Sequence, residues 1–224
     1  MENKSKNYYL EEFYKLIDNV KNLDYKPRLL LHCCCGPCAT YPVSILYKYF
    51  DLTLYYSNPN IYPIEEYDRR FETLKRFIEE YSAKHGFSYE LIKENDDFET
   101  YQELFKPYKD DKEGGNRCLY CYKYRIEKGY KYASEHDFVY YTTVMTVSAK
   151  KPSSMLNEIG LELNKKYPNT TYLVSDFKKE NGTLIGIQIA KEYKMYRQDY
   201  CGCIYSLNNR IAYLKRKEEE LNGI

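Results

Sequence analysis

Cysteine is the residue of this chain best suited to chemistry, and its eight copies fall in three tight groups. They are Cys33-Cys34-Cys35-Gly36-Pro37-Cys38, Cys118-Leu119-Tyr120-Cys121 and Cys201-Gly202-Cys203. Soft sulfur ligands select zinc, copper(I) and iron–sulfur clusters, so thiolates drawn from three distant segments suit a polymetallic or redox centre. Four cysteines within six residues are too many for packing, and Gly36 lets the backbone approach a bulky ligand. The CxxC at 118–121 opens an amphipathic helical pattern, which puts both sulfurs on one face. Alone it fits a zinc half-site, a thioredoxin-like pair or half of a cluster site. It lacks the thioredoxin position directly after the first strand, and eight cysteines overshoot the four ligands that zinc needs. The CxC at 201–203 can close a small, easily reduced disulfide or hold a second metal. Both readings stay open.

The elements that must position these groups follow from periodicity. Short β-rich runs at Arg28–His32, Leu52–Ser57, Ser88–Ile92, Phe138–Thr142 and Thr171–Val174 alternate with helical patterns. Ile64, Tyr67, Phe71, Leu74, Ile78 and Tyr81 recur at helical spacing, as do Leu119, Tyr122, Ile126, Tyr130 and Ala133. The alternation predicts a three-layer α/β/α fold with a mostly parallel sheet, whose ligands collect at the carboxyl ends of the strands. The first cysteine group lies there, directly after Leu29–His32. Pro37 and Pro42 argue against one regular helix through that segment, because an internal proline costs about 3 kcal/mol. Thr40 is expected to cap a helix running to about Phe50, leaving Cys34, Cys35 and Cys38 on a loop ahead of its N-terminus. Pro107–Asn116 reads as a loop, Tyr213–Leu221 as a solvated helix end, and residues 1–224 as a single α/β domain. Segments 95–136 and 195–224 are expected to bring helices around the metal site.

Composition sets the compartment. The chain is 43% hydrophobic, enough for a packed core, yet no stretch approaches the roughly 20 apolar residues of a membrane span. Met1–Lys26 is charged and tyrosine-rich, unlike a signal peptide, so a cytoplasmic protein without membrane partners is expected. Ordinary thiols stay reduced there, and eight cysteines then argue for metal binding or catalysis more than for a disulfide scaffold. A net charge of +1 leaves a nucleic-acid partner open.

Read together, the groups resemble the cobalamin-independent epoxyqueuosine reductase family, the QueH type. The resemblance runs from Arg28 to Ser206 through LLLHCCCGPC (Leu29–Cys38), SNPNIYPIEEYDRR (Ser57–Arg70) and EGGNRCLYCYKYRIE (Glu113–Glu127). It continues through YTTVMTVSAKK (Tyr141–Lys151), SDFKKENG (Ser175–Gly182) and YRQDYCGCIYS (Tyr196–Ser206). It implies a fold similar to the HUP class and a 4Fe–4S cluster held by Cys34, Cys35, Cys118 and Cys121. It also implies that Cys201 and Cys203 are a redox-active pair. The family position matching Cys38 can be acidic, which implies a ligand to one additional iron ion beside the cluster. Cys33 replaces a common aliphatic residue and reads as an extra buried thiol. Leu184–Glu192 departs from the family pattern.

The implied reaction is the two-electron reduction of epoxyqueuosine to queuosine at the anticodon wobble position of tRNA, with electrons from an external donor. Candidate proton donors are Tyr200, Asp176, Asp199 and His32. Lys150, Lys151, Lys178, Lys179 and Arg197 could contact phosphates, and Tyr141 and Tyr196 could stack on a base. His32 also reads as a core residue, and Asp176 as the cap of a helix starting near Lys178. Two rival readings remain: an ATP-dependent tRNA thiolase, disfavoured because cysteines replace the glycine-rich loop, and a non-catalytic zinc-stabilised binding module.

Overall fold

Leu29, Leu30 and Leu31 form the middle of the first strand, β1 (Arg28–His32), and all three are fully buried. Alternation sends Leu29 and Leu31 into one core and Leu30 into the other, so β1 is covered on both faces. Each such leucine contributes roughly 1.5–3 kcal/mol of burial. The computed structural model describes residues 5–221 and adds β2 (Asp51–Tyr56), β3 (Tyr89–Lys93), β4 (Tyr140–Thr143) and β5 (Thr171–Tyr172). The order is β3-β2-β1-β4-β5, and every pairing is parallel. Leu29 pairs with Leu52 on one side and Tyr140 on the other.

Helices α1 (Tyr8–Lys21), α2 (Gly36–Leu46), α3 (Ile64–His85) and α7 (Gly182–Glu192) supply the first core. Helices α5 (Asn116–Glu135) and α6 (Ser153–Leu163) supply the second. The α4 helix (Phe98–Phe105) and the start of α8 (Ile204–Leu221) meet near α5, where Tyr101 and Phe105 pack on Cys121 and the Tyr205 hydroxyl donates to Phe105 O. The chain turns to β2 on one side of β1 and to β4 on the other. A crevice therefore opens at the carboxyl end of β1, and residues 33–35 occupy it.

Three expectations change. The α2 helix begins at Gly36, not after Thr40, because Pro37 sits in the first turn, where a missing N–H costs nothing. Cys38 is therefore helical, Pro42 is internal, and Thr40 donates its hydroxyl to Pro37 O and Gly186 O instead of capping. The α7 helix starts at Gly182 with Asn181 at its N-cap, so Asp176 caps nothing. The 107–116 loop opens as a 3-10 turn, Lys106–Tyr108. The tail, by contrast, is the exposed end of α8 as expected.

Candidate metal centre

The β1 strand delivers its cysteines into the crevice one by one. Cys33 points into the core, donating its thiol to Leu31 O at 3.3 Å, and burial pushes its pKa well up. It is a buried thiol turned away from the other three. The Sγ atoms of Cys34, Cys35 and Cys38 lie within 4.8 Å of one another. Cys34 and Cys35 are 3.9 Å apart, close to the roughly 3.8 Å between two thiolates on one tetrahedral ion with metal–sulfur bonds of about 2.3 Å. Hydrogen bonds from Cys35 and Cys38 hold Cys34 well below the usual thiol range. Burial and the Cys34 charge push Cys35 up to about 12, and the bonds to Cys34 and Cys35 raise Cys38. A cation bound among these three sulfurs would displace their protons. Gln198 Nε2 donates to Cys35 Sγ at 2.9 Å.

Cys118 and Cys121 occupy the first turns of α5, and the Gly114 amide donates to Cys118 Sγ at 3.2 Å. Burial raises both thiols, Cys121 to about 11, and negative charge on Cys201 and Cys203 adds to the rise. The second and third groups are therefore electrostatic neighbours. Two cations join them to the first. Arg125, one turn past Cys121, is buried; burial opposes its charge, but attraction to Cys121, Cys34 and Cys201 raises its pKa overall. Burial likewise opposes the Lys151 charge, and Cys201, Cys34 and Cys38 outweigh it. Sulfurs from all three groups thus act on one pair of positive side chains, although among the described residues only Cys34, Cys35 and Cys38 stand within ligand distance of one another.

Further contacts fix that arrangement. Arg125 Nη2 donates to Asn58 Oδ1 at 2.5 Å, and Asn58 Nδ2 donates to Cys33 O at 2.9 Å. Asp96 accepts from the Asn58 amide at 2.5 Å and from Ser57 Oγ at 2.7 Å, and pairs with Lys128. Arg70, paired with Glu66 at 2.7 Å, donates to Cys201 O at 3.1 Å and Tyr200 O at 3.4 Å. Gly202 adopts φ +129°, which side chains rarely adopt, so the middle residue of this CxC has to be glycine. The Ser206 amide donates to Cys203 Sγ at 3.4 Å.

Comparison with known proteins shows the family. The Epoxyqueuosine reductase QueH family profile matches residues 29–209. This chain belongs to the QueH family, a family of oxidoreductases. The Streptococcus pyogenes QueH epoxyqueuosine reductase is 38% identical over 181 residues, covering 81% of this chain and 71% of that protein. The Staphylococcus aureus QueH enzyme is 36% identical over 194 residues, covering 86% and 80%. Among solved structures, the U34-tRNA thiolase NcsA of Methanococcus maripaludis with its 4Fe–4S cluster superimposes with a TM-score of 0.48 at 14% identity. It covers 96% of this chain and 75% of that one.

Several residues expected to act in this QueH chain have other work. Tyr141 is fully buried beside Tyr130 and Tyr172, its ring over Gly129, where an added Cβ would lie 2.6 Å from its hydroxyl oxygen. It is core and stacks on no base. Tyr196 donates to Glu66, and the Arg69 guanidinium lies 3.6 Å from its ring centre. Asp176 accepts from Ser153 Oγ at 2.9 Å and pairs with Lys178 at 3.2 Å, while Lys178 donates to Thr146 O at 2.8 Å and Lys151 O at 3.4 Å. These two shape the Lys151 loop. His32 is buried with Nδ1 on Thr143 Oγ1 and Nε2 on Ser57 O, and desolvation lowers its pKa to about 4. Asp199 pairs with Arg210 at 2.8 Å. Tyr200 is half-exposed, its hydroxyl donating to Tyr62 O at 2.6 Å. Lys150 and Arg197 are exposed and available to phosphates. Sequence reasoning missed Arg125, Arg70, Asn58 and Asp96. The i, i+4 spacing of Cys121 and Arg125 was the available signal for the first.

Proposed function

We propose that this chain reduces the epoxide of epoxyqueuosine in tRNA to the alkene of queuosine, in the cytoplasm. The observation that carries the reading is the convergence of three cysteine groups on Arg125 and Lys151 at the carboxyl edge of β1, in a chain of the QueH family. The donor set fits an iron–sulfur group, because the sulfurs are soft, grouped and charge-compensated by buried Arg125 and half-buried Lys151. Cys34, Cys35, Cys118 and Cys121 would hold a 4Fe–4S cluster, one thiolate to each iron, which requires the Cys34 and Cys35 sulfurs to part from their present 3.9 Å, and Cys38 would ligate an additional iron ion. The cluster would supply electrons one at a time.

Removing the epoxide oxygen breaks two C–O bonds, forms one C=C bond and releases water, consuming two electrons and two protons. Cys201 and Cys203 as a dithiol hold both electrons and both protons, and become a disulfide in giving them up. An external electron donor then restores the dithiol. Tyr200 is the side chain we assign to pass one of these protons to the departing oxygen and to regain it from the dithiol, its phenol kept protonated by burial, which raises its pKa to about 12. Lys150 and Arg197 would meet tRNA phosphates, and Lys151 would balance the charge of the sulfurs.

Turnover of tRNA carrying epoxyqueuosine tests the reading. Anaerobically prepared protein should be brown, contain iron and sulfide, and form queuosine. Cys118→Ala should bleach it and abolish turnover. Stoichiometric zinc without iron or sulfide would defeat the proposal in favour of a zinc-stabilised module.

A further inference from the structure

Two cavities open beside the cysteine centre, and their walls differ in chemistry. One, of about 260 Å³, is lined by Cys38, Ala149, Ile187, Arg197 and Gln198 among others, and no aromatic ring among the described residues lines it. The other, of about 290 Å³, lies between the Pro59–Tyr62 segment, α4 and the start of α8. Its wall carries Tyr62, Tyr101, Phe105 and Tyr205 together with Cys203. We propose that this aromatic cavity receives the epoxide-bearing base of the substrate, flipped out of the tRNA, with Lys106 and Lys109 at its mouth meeting the adjoining phosphates. The proposal rests on the reductase reading above and says which face of the centre the base enters.

Four observations carry it. Proteins that read unpaired bases stack them on aromatic faces, at about 1–3 kcal/mol per base. Tyr62 is 39% exposed and Tyr205 half-exposed, so ring surface is available there. The volume is close to the lower end of the roughly 300–1,000 Å³ typical of small-ligand pockets, which suits one modified base and not a longer oligonucleotide. Asn60, in the same wall and 4% exposed, has an Oδ1 without a hydrogen-bond partner among the described residues. An unmade bond at a buried acceptor is costly, and a hydroxyl or N–H of the base would supply the missing donor. Cys203 then places a sulfur of the redox pair beside the bound base, whereas the second cavity offers only Cys38.

The test fills each cavity in turn in the intact, cluster-loaded protein. Asn208→Trp and Gln102→Trp alter exposed residues at the aromatic cavity, and Ile187→Trp fills the other. With tRNA carrying epoxyqueuosine as probe, both aromatic-cavity variants should lose at least tenfold in kcat/KM and in tRNA affinity, at wild-type iron and sulfide content. Ile187→Trp should stay within about twofold of wild type. Wild-type kcat/KM in both aromatic-cavity variants overturns the proposal, as does a loss confined to Ile187→Trp. Iron lost from both aromatic-cavity variants would show that this wall supports the cluster rather than the substrate, and overturns it too. Absence of turnover in the wild type would instead defeat the reductase reading, so the two failures are distinct.

Discussion

Tyr200 is tethered by a 2.6 Å hydrogen bond to Tyr62 O, on the rim of the aromatic cavity, and that contact makes its role testable. Tyr200→Phe keeps the ring under the Arg70 guanidinium, 5.1 Å away, and removes only the hydroxyl. If that hydroxyl serves the departing oxygen, kcat should fall about 10²-fold or more with iron content unchanged, measured in single-turnover assays. Arg125 makes a different prediction. Its charge faces Cys34, Cys121 and Cys201, so Arg125→Gln makes each added electron less favourable. The cluster potential should move on the order of 50 mV negative, about tenfold in the electron-transfer equilibrium, while Arg125→Lys should restore most of it. Spectroelectrochemical titration reads the shift directly. At this scale the sulfurs were legible, because cysteines rarely gather so densely without a shared chemical task. Arg125 and Arg70 were not legible, since a buried cation and a solvated one are the same letter. Tyr141 was misread for the converse reason: a tyrosine at a strand position looks alike whether it faces a ligand or a glycine.

The elements explain how distant sulfurs meet. The β1 strand ends at the switch point of the sheet, α5 begins with its CxxC, and the 201–203 loop is clamped by Arg70 before α8 starts. Gly202 is the narrow point of that clamp. At φ +129° an added Cβ would lie 3.0 Å from Arg70 Nη1, 3.2 Å from Ile61 and 3.3 Å from Asn60. Gly202→Ala should therefore cost roughly 1–3 kcal/mol and lower Tm by several degrees, as followed by thermal unfolding. An unchanged Tm would mean that the loop relaxes without cost. Element positions were legible where apolar periodicity was strong, as for α3, α5 and β1. The start of α2 was not, because Pro37 and Pro42 each fit a first turn, and only the packed structure shows that Pro37 takes it. The 171–174 strand shrank to two paired residues, although Leu173 and Val174 remain buried. Burial, not pairing, had produced the apolar signal.

At the scale of the whole molecule, the two cores cover the sheet's faces, and the first cysteine group stands at its carboxyl edge. No helix among the described residues is long and apolar enough to cross a membrane. The parallel sheet followed from the alternation of strands and helices, but its strand order and the two cavities flanking the centre could not be read from sequence, since each cavity is lined from several separate segments. Overall charge is equally uninformative: the sum of +1 hides where cations stand. Lys106, Lys109, Lys150 and Arg197 are all exposed, and the first two and Arg197 line the cavities beside the cysteines. If these four meet phosphates, tRNA affinity should fall roughly 50–150-fold between 50 and 200 mM salt, from a slope of about 0.7–0.9 per phosphate. Lys106→Glu with Lys109→Glu should flatten that slope by about two phosphates' worth. Fluorescence anisotropy with labelled tRNA measures both, and a slope unaffected by the double substitution would move the tRNA to another face of the protein.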